Sequence, residues 1–72
     1  MENYEKVEEE IHEFKKYLKM TMDLLCDSYK WKKLAEHTEN QTYITKYKAI
    51  SNTLYELFMQ EHNNIGNMFK EN

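Results

Sequence analysis

Three acid–histidine steps have the residue types and spacing to hold a metal ion: Glu9 with His12, Glu36 with His37, and Glu61 with His62. A Glu-x-x-His step on a helix places a carboxylate and an imidazole on one side, and carboxylate metal bundles combine such steps with glutamates from neighbouring helices. A metal site needs these steps to converge. Glu9 and His12 fall off the apolar line of Ile11, Phe14 and Leu18, so they are expected to point outward, and the three histidines are spread along the chain. A carboxylate–histidine metal bundle is therefore the weaker alternative. No metal or other cofactor is assigned, and His62 is expected to be a partly buried ring with one hydrogen bond.

Lysines beside aromatics suggest a second chemistry. Lys30, Lys32 and Lys33 surround Tyr29 and Trp31, and Lys15, Lys16 and Lys19 form another group. Charge combined with stacking can hold a single nucleic-acid strand. The balance of the chain opposes this, because 13 acids outnumber 10 basic residues, leaving a net charge of −3. Every basic residue is lysine, so no guanidinium fork is present for phosphate or guanine. Lysine stems covering aromatic surface, with their ammonium heads in water, explain the pattern more simply. A lysine/aromatic nucleic-acid binder stays as the first alternative. The lysine-only usage also suggests an AT-rich genome, such as that of a low-GC bacterium or its phage.

Catalysis finds less support. The sequence has no glycine-rich loop and no nucleophile beside a base. Its one cysteine, Cys26, precludes an internal disulfide and is followed by Asp27, which disfavours a thiolate. It is expected to be a small, at least half-buried apolar residue. No catalytic or cofactor-binding residue is assigned, and the chain is expected not to be an enzyme.

The elements that position these residues follow from spacing. Proline is absent, and the single glycine is Gly66. Steps of three and four run through Tyr4, Val7, Ile11, Phe14, Leu18, Thr21, Leu25, Ser28, Lys32 and Ala35, a helical, heptad-like seam that is apolar at first and more polar after Leu25. The pattern breaks at His37–Thr42 and resumes from Tyr43 through Ile50 and Leu54 to Met68. Residues 1–72 thus form a single all-α domain: helix 1 over about 3–37, a turn at 38–41, and helix 2 over about 42–69. Thr38 with Gln41 fits a capping box, and Asn40 or Thr42 is an equal candidate cap. Asp27–Ser28 is the place where a third helix would begin, although nothing helix-breaking accompanies it.

A short connection makes two long helices pack as an antiparallel hairpin. With the turn centred near Asn40, Ile11 lies level with Phe69, Leu18 with His62, Leu25 with Tyr55, and Leu34 with Tyr47. Phe14 falls level with Gly66, whose missing side chain is expected to make room for the ring. Leu18, Leu25, Ile50 and Leu54 are the expected core. Such a hairpin leaves apolar residues over: Tyr17, Met22, Leu24, Tyr29 and Trp31 on helix 1, and Tyr55, Phe58 and Met59 on helix 2. Surplus apolar surface rich in aromatics and methionine marks an interface. The expected assembly is a homodimer of hairpins, a four-helix bundle of coiled-coil type, with Ser28, Lys32, Ser51 and Asn52 as a polar layer that sets register.

Charge is uneven along the chain. Residues 1–13 carry −5, residues 14–48 carry +4 and residues 49–72 carry −2. The acids Glu2, Glu5, Glu8, Glu9, Glu10 and Glu13 suit a helix N-terminus, and they are also a candidate acidic docking arm. The polar, acidic start lacks the features of a secretory signal, and no apolar run is long enough to cross a bilayer. Cytoplasmic residence is the expectation. Function is then expected to lie in binding: a small, non-catalytic regulator or inhibitor that pairs with itself and with another, unidentified protein, with membrane and nucleic acid disfavoured as partners.

Overall fold

The computed structural model describes residues 3–70, which form α1 (Tyr4–His37) and α2 (Gln41–Met68), with no strand among the described residues. Helix α1 begins where the Asn3 side chain accepts the Lys6 backbone N–H at 3.1 Å, filling a donor that the first turn leaves open. It continues for 34 residues through Asp27 and Ser28 without a break, so those two residues cap nothing and the three-helix alternative falls away. It ends at Thr38, whose backbone turns extended. Of the candidate caps for α2, Asn40 takes the role: its side-chain oxygen accepts from Thr42 N–H at 3.0 Å and Tyr43 N–H at 3.3 Å. The Thr38 hydroxyl instead accepts the Asn40 N–H within the turn.

The helices run antiparallel, close to the expected register. Ser28 meets Ser51, Tyr17 meets Glu61, and Trp31 meets Tyr47. The open end departs from expectation. Phe14 packs edge-on against Phe69, with ring centroids 6.2 Å apart at 71°. Gly66 makes no room for that ring, since a Cβ built on it would meet nothing within 4 Å.

The core also differs from expectation. The most buried residues are Thr21 (1% exposed), Ser28 (5%) and Ala35 (4%) on α1, seven apart, with Ser51 (8%) opposite them on α2. Leu18, Leu25, Ile50 and Leu54, expected as core, are only half-buried. Two helices touch along one line, and the position aimed straight at the partner must be small if the axes approach closely. The Ser28 hydroxyl donates to the Ser51 carbonyl at 2.8 Å, and the Ser51 hydroxyl donates to the Ser28 carbonyl at 2.7 Å. A side chain that short reaches the opposite backbone only where the axes are near. Longer side chains therefore splay to either flank, where a pair of helices cannot cover them.

Two faces result. On the first, Leu24 and Trp31 come three residues after Thr21 and Ser28, Tyr17 comes four before Thr21, and the three lie level with Leu54, Tyr47 and Glu61. On the second, Leu25 and Lys32 come four residues after Thr21 and Ser28, Leu18 comes three before Thr21, and Lys32 shares a groove with Lys48 and Asn52. Tyr55 and His62 continue from Lys48 in steps of seven. The molecule is two helices wide and one deep, with extents of 63 × 24 × 11 Å. Its radius of gyration is 17.4 Å, against about 11 Å for a compact chain of this length. Its accessible surface is 6371 Å², about a third above the roughly 4,800 Å² of a compact protein of 8.9 kDa.

Candidate functional site

Seven of the eight residues expected at an interface divide between the two faces, and the eighth, Phe58, lies on the contact line. Tyr17, Leu24 and Trp31 lie on the first face and are half-buried. The Tyr17 hydroxyl donates to the Glu61 carboxylate and approaches the Glu61 carbonyl at 3.4 Å. Trp31 tilts against Tyr47 at 5.3 Å, and Tyr43 stacks on Tyr47 at 5.8 Å. Helix α2 therefore covers part of a flank that the sequence reading left wholly free. The reason is the shifted contact line: with Thr21, Ser28 and Ala35 at its centre, both flanks of α1 share the partner helix equally.

Met22, Tyr29, Tyr55 and Met59 are exposed on the opposite face. Phe58 lies on the contact line, between Tyr55 at 6.3 Å and His62 at 5.9 Å. The sequence reading missed that Leu34 and Leu57, both exposed, join Ile50, Leu54 and Leu24 on the first face. The signal was available in the steps of three and four that run 24, 31, 34 and 50, 54, 57, but it emerges only once the central line is known.

Electrostatics around the aromatics follow the simpler expectation. Lys30 places its ammonium 5.1 Å from the Trp31 ring centroid, and Lys33 lies 5.2 Å from that of Tyr29. Lys33 also pairs with Glu36 at 3.0 Å. That hydrogen bond, with the pair's mutual attraction, raises the Lys33 pKa, and the same bond lowers that of Glu36. On the first face, the hydrogen bond to Glu61 raises the Tyr17 pKa above its ordinary value, with burial and the carboxylate charge adding to the effect.

Glu5, Glu8, Glu9, Glu10 and Glu13 of the acidic arm are exposed on α1, while Glu2 lies outside the described residues. Glu13 pairs loosely with Lys16 at 3.6 Å, a surface contact of small worth. Beside the arm, Phe14, Tyr17 and Met68 floor an open groove of about 600 Å³ rimmed by Lys6, Glu10 and Glu13. Among the described residues, no group of three or more His, Cys, Asp or Glu side chains could hold a metal ion. His62 is exposed and stacked on Phe58, not partly buried on a hydrogen bond as expected, because α2 turns it onto the uncovered second face. Cys26 is likewise exposed, since its position lies on the side of α1 away from α2. Among the described residues, no helix is long and apolar enough to cross a membrane. No family model matches the chain, and no curated protein or solved structure is significantly similar to it.

Proposed function

We propose that this chain is a non-catalytic protein-binding module, a small regulator or inhibitor whose first partner is a second copy of itself. The observation that carries this reading is the surface left uncovered. Among the described residues, no large side chain is fully buried; those below a tenth exposure are Thr21, Ser28, Ala35 and Ser51. Hydrophobic burial is the main favourable term in folding, at about 25 cal/mol per Å². A hairpin whose contact line is made of serine, threonine and alanine gains little from it. Two such hairpins brought to the compactness of a globular dimer would each bury up to about 2,400 Å² more. That is the scale of an obligate interface. Aromatic and methionine side chains, the types enriched in interface centres, occupy the uncovered surface.

Regulation by binding suits this shape. A four-helix bundle made from two hairpins keeps an outer surface and two acidic ends for a different protein, and the arm of Glu5, Glu8, Glu9 and Glu10 is a docking element for a basic partner. Sedimentation equilibrium at micromolar concentration tests the reading, with a dimer as the expected species. A well-folded monomer throughout would contradict it. Salt-sensitive binding to an oligonucleotide would favour the lysine/aromatic alternative. Metal retained through purification and lost on changing Glu61 and His62 would favour the carboxylate–histidine one.

A further inference from the structure

We infer that the two faces are not equivalent, and that the face of Leu24, Trp31, Leu34, Ile50, Leu54 and Leu57 is the one a second copy covers, packed end for end. This rests on the self-association proposed above and goes further by assigning the seam and its direction. Both faces expose apolar groups, but they differ in charge. On the first face, the α2 stripe from Tyr43 to Leu57 carries no charged residue over about four turns, and the α1 stripe from Met20 to Leu34 carries one, Asp27, with the Lys30 ammonium at its edge 5.1 Å from the Trp31 ring. On the second face the same stretch holds Lys32, Glu36 and Lys48 around a polar groove.

A two-fold interface sets each patch against its own copy. Pairing the second face would bring lysines toward lysines and strip water from them, which is unfavourable without partners. Pairing the first face buries leucine, isoleucine and tryptophan against the same residue types. The deficit in buried surface noted for the free hairpin supplies the need for such a cover.

Charge also selects direction. Side-by-side packing with both turns at one end would superimpose two acidic ends, setting Glu10, Glu13 and Glu61 of each copy against their counterparts. End-for-end packing separates those clusters by much of the 63 Å length, far beyond the ~10 Å over which exposed charges act. It also lays each acidic end, at −5 over residues 1–13, alongside the partner's turn end, where five lysines against two acids give +3 over residues 30–48.

Leu57→Lys and Tyr55→Lys form the test. The two positions are close in exposure, at 42% and 48%, lie two residues apart on α2, and belong to opposite faces. Sedimentation should show the Tyr55→Lys dimer intact and the Leu57→Lys dimer weakened about a hundredfold, as an unpaired ammonium in an apolar seam requires. The reverse pattern would overturn the face assignment while leaving self-association standing. A monomeric wild type would overturn both. Should Leu57→Lys fail to fold, the wild-type dimer still decides: Trp31 should resist iodide quenching, whereas quenching as full as that of an exposed indole would refute the proposal. Spin labels on Glu5→Cys in a Cys26→Ser background should report a separation approaching the 63 Å length. Adjacent labels would refute the end-for-end direction.

Discussion

Replacing Ser28 by leucine puts a larger apolar side chain at a heptad core position, a change that strengthens many coiled coils. Here it should destabilise the protein. Ser28 is 5% exposed, and its hydroxyl sits 2.8 Å from the Ser51 carbonyl and 3.3 Å from the Ser51 hydroxyl. Ser28→Ala removes one hydrogen bond and leaves the Ser51-to-Ser28 bond in place, so it should cost about 1 kcal/mol. Ser28→Leu loses the same bond and forces the axes apart, adding about 1–3 kcal/mol of overpacking. Separation then breaks the second hydrogen bond, for a total of roughly 3–5 kcal/mol. A domain of this length has only about 4–11 kcal/mol in all. Urea denaturation followed by circular dichroism at the helix band should show a modest shift for Ser28→Ala and a shift several times larger for Ser28→Leu. A Ser28→Leu variant as stable as the parent would show that the helices do not meet closely at this layer.

Other perturbations have equally definite outcomes. Asn40→Ala should cost about 1 kcal/mol in thermal stability by orphaning the Thr42 and Tyr43 amides, whereas Asn40→Gly should cost only a few tenths. Gly66→Ala should stabilise by up to about 1 kcal/mol, because the glycine is helical and a Cβ there meets open space. Tyr17, with its pKa raised in the folded state, should titrate above the ordinary tyrosine range by phenolate absorbance, and Glu61→Gln should bring it down. Its contribution to stability is present below the unfolded tyrosine pKa near 10 and should be lost as pH rises through the folded value.

Helix content, the turn and the antiparallel register were legible in the sequence, because steps of three and four, an absence of proline and a cluster of capping residues act locally. Both helices begin within a residue or so of where spacing placed them. The contact line was legible only in part. Steps of three and four carried the seam through Thr21, Ser28 and Ala35, but reading apolarity as depth chose Leu18 and Leu25 as its core, whereas the structure buries the three small residues. Close approach of two backbones rewards small residues, and that reward depends on both helices at once, so neither stripe reveals it alone. The surplus residues Met22, Tyr29, Tyr55 and Met59 were recognisable as uncovered from composition and spacing. Steps of seven also set Tyr17, Leu24 and Trp31 on a different flank of α1 from Met22 and Tyr29, whereas matching each flank to its side of α2 needed the Tyr17–Glu61 and Trp31–Tyr47 contacts. Gly66 misled for a related reason: its level along the rod matched Phe14, but that ring turned to Phe69 instead.

The claim that the hairpin is half of an assembly is tested most directly by melting the wild-type protein across a hundredfold range of concentration. If folding is linked to dimerisation, mass action raises the melting temperature with concentration. For a 72-residue chain unfolding as a dimer, an enthalpy of about 100 kcal/mol per mole of dimer gives a shift of about 5 °C per tenfold change, so about 10 °C over the range. A melting temperature independent of concentration, with full helicity retained at the lowest, would mean that the hairpin stands alone and that its uncovered faces do not bring two copies together.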